Sequence, residues 1–296
     1  MEDFSMLNWI LDVLRGAVMG IANIIPGVSG GTMAVSMGIY DRMIYAVNNI
    51  VKKFKESLKT LLPIVIGMLI GLFAFAALIG HLLGTDASTI PLTRLPTNFA
   101  FIGLILGGLP AIYKRVNIRK AGLPGLLLFI LFFAIVVVLP LLTKPEARTV
   151  DHSFPVMLLM VGLGAIASAA MVIPGISGSM IIMLLGYYDS VINAMNELRA
   201  GDFSAAAILI PYLLGLLIGI VFIAKLMNFL LKNHTAMTFA AIFGLVIGSP
   251  VALLVQNTDC FAIATPWNWV ACAVCCVVGF LVAYLLSRLD KSESAA

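Results

Sequence analysis

The sequence predicts an all-α integral membrane protein made of two inverted-topology repeats, each a re-entrant helical hairpin followed by three transmembrane helices. Three observations predict it: an apolar composition, six long apolar runs, and an internal duplication interrupted by Pro and Gly. Of the 296 residues, 61% are apolar and 11% charged, with a mean hydropathy of +1.10. A soluble chain of this length keeps much of its surface in water, so an outer face this apolar requires lipid as its solvent. Soluble enzymes, nucleic-acid binders and disordered regulators are thereby excluded.

At an offset of 148 residues, positions 16–50 align with 164–198 without a gap, and 14 of the 35 pairs are identical. The matches include Pro26/Pro174, Gly27/Gly175, Ser29/Ser177, Gly30/Gly178, Gly38/Gly186, Tyr40/Tyr188 and Asp41/Asp189, and continue to Pro63/Pro211, Gly67/Gly215 and Gly71/Gly219. Residues 1–148 and 149–296 are thus read as two membrane repeats around one pathway. In the first, the hairpin covers 12–49 and the spans 61–83, 97–113 and 122–142; in the second, the hairpin covers 156–198 and the spans 205–231, 235–255 and 267–286.

The spans follow from runs near or above the length that crosses hydrocarbon. The hairpins follow from shortness. Arg15 to Pro26 is eleven residues and Thr32 to Asp41 is nine, about 16 Å and about 14 Å of helix, against about 30 Å for a crossing. Each arm reaches about halfway, so the tip at 26–32 lies inside the membrane. The stretch 156–173 is uncharged and long enough to cross by itself, and its hairpin is assigned by analogy with the first copy.

Charge tests this topology. If each duplicated segment returns to its starting side, Lys52, Lys53, Lys55, Lys59, Lys114, Arg115, Arg119, Lys120, Lys225, Lys232, Arg288 and Lys291 share one face. Arg94, Lys144, Arg148 and Arg199 share the other, a division of twelve to four. One kinked crossing per segment gives nine to seven. The positive-inside rule prefers the first arrangement, with the basic loops at 52–59 and 114–120 and both termini cytoplasmic. Five crossings per half would share that parity. The start Met1-Glu2-Asp3 lacks the basic region of a cleavable leader. Cys260, Cys272, Cys275 and Cys276 have no metal-site spacing and read as packing residues. His81, His152 and His234 are scattered over span ends and loops, so neither a metal nor a cofactor is expected.

Irregular backbone within a bilayer is tolerated only where protein or a watered cavity satisfies it. Pro26 and Pro174 end the incoming arms, Gly27 and Gly175 permit positive φ, and Ser29, Thr32, Ser177 and Ser179 supply hydroxyls. The half-helix beginning after each tip, at Gly30-Gly31 and Gly178, presents N–H groups suited to a phosphate or carboxylate. Close helix packing through small residues is the competing reading for one such motif, but it does not call for two matching tips. Arg42 can guide a phosphate, or pair with Asp12 or Asp41, or reach the headgroups. Asp41 and Asp189 can carry a coupling proton or sodium ion, or cap helix ends.

Residues 20–32, Gly-Ile-Ala-Asn-Ile-Ile-Pro-Gly-Val-Ser-Gly-Gly-Thr, with Gly38-Ile39-Tyr40, closely resemble the first signature of the bacterial polyprenyl-phosphate transporter family, long catalogued as a domain of unknown function. Ile173-Pro174-Gly175-Ile176-Ser177-Gly178-Ser179, with Leu185-Gly186-Tyr187-Tyr188, matches the second. The resemblance covers nearly the whole chain. It implies a multi-pass protein of the bacterial cytoplasmic membrane that returns undecaprenyl phosphate from the outer to the inner leaflet, for reuse in peptidoglycan and other envelope polymers. For such a substrate the tip chemistry read above expects the phosphate to meet Ser29, Gly30, Gly31, Thr32, Ser177, Gly178, Ser179 and Arg42, with the tail left in lipid.

The residues leave two other functions open. One is an ion-coupled carrier of a small soluble anion, since nothing in the tips separates free from lipid-linked phosphate. The other is an intramembrane lipid-phosphate enzyme, disfavoured because no His lies near Ser29 or Ser177 to serve as base. No P-loop is present, so a proton or sodium gradient is the expected drive. One repeat would rock against the other, and the uniformly apolar outer face is compatible with a homo-oligomer.

Overall fold

The computed structural model describes residues 6–23, 29–83, 93–116, 118–142, 148, 150–151 and 153–288. Its helices are α1 (Met6–Ala22), α2 (Gly30–Ser36), α3 (Tyr40–Asn48), α4 (Phe54–Leu83), α5 (Arg94–Arg115), α6 (Ile118–Leu142), α7 (Phe154–Val172), α8 (Gly178–Leu184), α9 (Tyr188–Arg199), α10 (Ala206–Asn233), α11 (Thr235–Gln256), α12 (Thr258–Ala262) and α13 (Pro266–Arg288). Seven stretches among the described residues are long and apolar enough to cross a membrane. Six lie in the helices that carry the expected spans, and the seventh is α7. The protein is therefore an all-helical membrane protein. The tip residues Pro26 and Gly27 lie outside the described residues.

The duplication reappears in the helix boundaries. Helices α2 and α8 each have seven residues, and α3 and α9 start at Tyr40 and Tyr188, in keeping with the 148-residue offset. The break between the short helices comes from Gly38 (φ 78°) and Gly186 (φ 84°), a left-handed conformation that a side chain resists. Two boundaries differ from expectation. Helix α1 begins at Met6 rather than residue 12, and the basic segments at 52–59 and 114–120 are largely helical ends of α4, α5 and α6 rather than loops. Polar side chains at a helix end do not prevent it from continuing into the interface, since the backbone stays paired within the helix.

Glycine brings four helix pairs to backbone contact. A Cβ on Gly16 or Gly20 of α1 would run into Ile64 O or Met68 O of α4, and one on Gly67 or Gly71 of α4 into Val13 O or Ala17 O. The partner number rises with the residue number, so α1 and α4 run parallel. Helices α7 and α10 repeat this through Gly164, Gly215 and Gly219. Gly103 and Gly107 of α5 lie against Cys276 O and Phe280 O of α13, while Gly244 and Gly248 of α11 face Phe129 O and Phe133 O of α6. These last two pairs are also parallel, and each joins a helix from before residue 148 to one from after it.

Helices α5 and α11 form the centre. Their apolar windows are 56% and 67% buried, against 11% for α6 and 22% for α13. Met33, Met37 and Ile39 from the first duplicated segment pack with Ile105 and Ile112 of α5 and Ile242 and Val246 of α11. The outward faces of α6, α10 and α13 carry exposed Leu127, Ile130, Leu213, Leu217, Val274 and Val277, an apolar surface suited to lipid.

Candidate functional site

The second tip is the more completely described. Helix α7 stops at Val172 because Ile173 precedes a proline, which steers it out of the helical region to φ −71°, ψ 121°. Pro174 and Gly175 (φ 87°) then occupy the middle of a turn closed by the Ile176 N–H donating to Ile173 O at 3.4 Å, the Pro-Gly order of a type II turn. Ser177 is extended and precedes α8, but its side chain does not cap that helix. Its hydroxyl instead pairs with that of Ser179 at 2.8 Å. Among the described residues, nothing accepts from the N–H groups of Gly178, Ser179 or Met180.

In the first tip the described residues, from Ser29 on, are largely satisfied within their own segment. Ser29 caps α2, its Oγ accepting the Thr32 N–H at 3.1 Å, while Asn23 Oδ1 accepts the Gly30 N–H at 2.8 Å. Ser29 and Thr32 hydroxyls lie 3.1 Å apart. Both residues are buried, at 1% and 0% exposure. Asn23 was not singled out from the sequence: it lies outside α1 and Gly30 opens α2, so their seven-residue spacing is not a shared helix face and no period marks the contact.

The two tips meet. The Gly175 N–H donates to Thr32 Oγ1 at 2.6 Å, and the Tyr40 hydroxyl donates to Val172 O at 3.1 Å. A Cβ on Gly31 would come within 2.9 Å of Met171 O. Thr32 accepts from Gly175, and the Ser29–Thr32 pair shares a single hydroxyl–hydroxyl bond, so one of its two hydroxyl hydrogens remains to be donated. The Ser177–Ser179 pair leaves one in the same way. Two donors therefore survive where residues 143 positions apart come together. Thr32→Val keeps the shape but leaves the buried Gly175 N–H without an acceptor, at a cost of about 1–3 kcal/mol. Thermal unfolding of detergent-solubilised protein is expected to show a lower midpoint for Thr32→Val and a near-native one for Thr32→Ser.

The charged candidates lie elsewhere. Arg42 on α3 does not join the tips: it donates to Asp12 Oδ1 of α1, which Arg15 also reaches at 3.0 Å. Arg15 and Asp12 are buried, and Arg15 donates further to Leu286 O of α13 at 3.0 Å. Asp41 forms an ion pair with Arg115 of α5, and that guanidinium lies 5.6 Å from the ring centre of Phe239. Asp189, its counterpart, is exposed and makes no ion pair among the described residues. The pairing of Arg42 with Asp12 was one of the readings open in the sequence. The role of Arg115 was not, since it stood only among the basic residues that set topology.

Comparison with known proteins bears on what this arrangement serves. A family model described as undecaprenyl phosphate translocase-like matches residues 19–266. The polyprenyl-phosphate transporter of Staphylococcus aureus (strain NCTC 8325 / PS 47) is 32% identical over 301 residues, covering 99% of this chain and 100% of the relative. A polyprenyl-phosphate transporter of Vibrio cholerae serotype O1 is 30% identical over 255 residues, covering 82% of this chain and 77% of the relative. No solved structure matches.

Proposed function

The chain belongs to the undecaprenyl phosphate translocase-like family, and from this premise we propose that it is a polyprenyl-phosphate transporter that carries undecaprenyl phosphate from the outer to the inner leaflet of the bacterial cytoplasmic membrane for reuse in envelope polymer synthesis. The observation that carries the site is the meeting of the two tips through Thr32 and Gly175, with a spare hydroxyl hydrogen on each side. A phosphate there exchanges its water for Ser29, Thr32, Ser177 and Ser179 hydroxyls and for the N–H groups of Gly31, Gly178 and Ser179, with that of Gly30 joining them once it leaves Asn23, while the prenyl chain stays in lipid. Pro174 and Gly175 shape the second tip, and Pro26 and Gly27 are assigned the same work in the first. In the described conformation the second tip is the more open of the two, because its N–H groups are unengaged and Ser179 is exposed.

Depth supports re-entrant hairpins. Gly20 lies beside Met68 and Leu72, and α1 ends two residues later, yet α4 continues to Leu83, about 16 Å past Leu72. Ser168 lies beside Gly219, four residues before α7 ends, and α10 continues fourteen residues past Gly219 to Asn233. Each incoming helix ends while its parallel neighbour runs on, which is what a re-entrant arm requires. Helix directions support inversion of the repeats 1–148 and 149–296. As consecutive crossings α5 and α6 run oppositely, and α11 is parallel to α6, so α5 and its counterpart α11 are antiparallel. Both termini are then cytoplasmic by the basic-residue count.

The interlocked pairs change the mechanism expected from sequence. Because α5–α13 and α6–α11 join the two repeats by backbone contact, rocking one whole repeat against the other would pull both pairs apart. The moving bodies are instead the hairpin-bearing units, α1–α4 and α7–α10, working against the interlocked set α5, α6, α11 and α13. A proton or sodium gradient supplies the drive.

The test is leaflet-to-leaflet movement of a polyprenyl phosphate in liposomes under imposed proton and sodium gradients, with soluble phosphate uptake measured in parallel. Native protein is expected to move the lipid and not the free anion. Ser177→Ala with Ser179→Ala removes the spare hydroxyl hydrogen bond of the second tip to a charged group, worth about 1.5–3 kcal/mol, so the rate should fall at least about tenfold. Uptake of free phosphate without lipid movement would overturn the lipid substrate.

A further inference from the structure

We propose that the Asp12–Arg42 and Asp41–Arg115 pairs form a charged clasp that holds the first-hairpin end of the pathway shut, so that the resting protein is open beside the second hairpin. This rests on the transporter reading and concerns which end of that same pathway stands open. The clasp binds four elements at one end of the molecule: α3 to α1 through Arg42 and Asp12, α3 to α5 through Asp41 and Arg115, and α1 to α13 through Arg15 and the Leu286 carbonyl. In the second duplicated segment the residues matching Asp12, Arg15 and Arg42 are Met160, Leu163 and Ser190, and Gln256 ends α11 where Arg115 ends α5. Only Asp189 survives, and it is exposed. The ionic clasp is therefore not repeated on the second segment, where Arg148 is held by hydrogen bonds instead: its N–H donates to Gly186 O, its carbonyl accepts from the Ser190 hydroxyl, and its guanidinium lies over the Tyr187 ring.

Burial of the outgoing arms follows the same division. Every residue of α2 from Gly30 to Ser36 is buried, and α2 packs on α5 so closely that a Cβ on Gly108 would strike Ser36. In α8 only Gly178 and Ile182 are buried, while Met183 is 37% exposed and Leu185, just beyond it, 40%. Among the described residues, α8 makes no comparable packing on α11. The two segments descend from one duplicated sequence, so a difference in burial this large marks a difference in conformation rather than a peripheral position in the fold. Exchanging those conformations would seat α8 on α11 and lift α2 from α5, which requires α3 to leave both Asp12 and Arg115. These partly buried charge pairs, with Asp12 almost wholly enclosed, resist that step, and the second hairpin makes no ion pair among the described residues to resist its own release.

The experiment reads accessibility without any lipid substrate, so its failure is separable from failure of the transport assay. In a chain whose four cysteines are replaced by alanine, Ser36→Cys and Ser179→Cys are labelled with a small thiol reagent in liposomes. Ser179→Cys should react and Ser36→Cys should stay silent. Adding Asp12→Asn or Asp41→Asn should raise Ser36→Cys reactivity about tenfold or more while lowering that of Ser179→Cys, as expected for a shifted two-state population. The charge exchange Asp41→Arg with Arg115→Asp should return both to the starting pattern. Silence of Ser36→Cys in both clasp variants would overturn the proposal. So would a joint rise at both sites that the charge exchange does not reverse, since that is loosening rather than gating.

Discussion

Gly175→Ala is expected to abolish transport and to lower the yield of folded protein sharply, whereas Gly201→Ala should leave both near native. The two glycines share a left-handed backbone, with φ of 87° and 92°. Placing a Cβ there costs about 1–2 kcal/mol by itself. At Gly201 that is the whole cost, because a Cβ would meet nothing within 4 Å. At Gly175 the added carbon would lie 2.7 Å from Leu245 Cβ and 2.8 Å from the Leu245 carbonyl oxygen, and a main-chain oxygen cannot swing aside. Shifting the turn to relieve the clash moves the Gly175 N–H away from Thr32, the contact that joins the two tips. Overpacking of this kind adds about 1–3 kcal/mol. Monodispersity in detergent and the liposome lipid assay measure the outcome. Equal behaviour of the two variants would mean that the tip yields and that its geometry is not what transport requires.

The parts of this fold that could be read from the sequence are those with a local signature. Gly38 and Gly186 matched in the duplication, and both adopt positive φ at the same break. Gly67, Gly71, Gly215 and Gly219 matched likewise, and each touches a neighbouring backbone. The tip hydroxyls were identifiable because Pro-Gly-x-Ser-Gly occurs twice in otherwise apolar surroundings. Partnership was not legible. Nothing in the run around Gly103 announces that it meets Cys276 rather than a helix of its own repeat, because small residues advertise a close contact without specifying with whom. Charges behaved the same way. Arg115 looked like one more basic residue at a span end, and its pairing with Asp41 depends on where α3 lies after a turn at Gly38 that no linear count supplies. Asn23 was invisible for a related reason, since it lies beyond the end of α1 and yet accepts from the first N–H of α2.

These glycine contacts give the second large effect, at two positions in the middle of α7 with one residue between them. Gly164→Ala is expected to cripple folding and transport, while Gly162→Ala should be neutral or stabilising. Both lie in the interior of one helix. In an exposed helix interior alanine is favoured over glycine by about 1 kcal/mol. Gly162 has nothing within 4 Å of a Cβ, so the substitution there gains that preference without a steric cost. At Gly164 a Cβ would run into the Tyr212 carbonyl oxygen and come within 2.9 Å of the Leu216 nitrogen, both main-chain atoms of α10. Relief requires α7 and α10 to separate along their length, which also withdraws Gly215 and Gly219 from Val161 and Ala165. Lipid tails fill the outer face as well as any side chain does, so no hydrophobic force drives the helices back together, and the lost packing is not replaced. The separation carries the end of α7, and with it Val172 and Gly175, away from Tyr40 and Thr32. A stable, active Gly164→Ala protein would show that the hairpin-bearing units are not held by these contacts, and a damaged Gly162→Ala protein would show that α7 meets a partner on its other face.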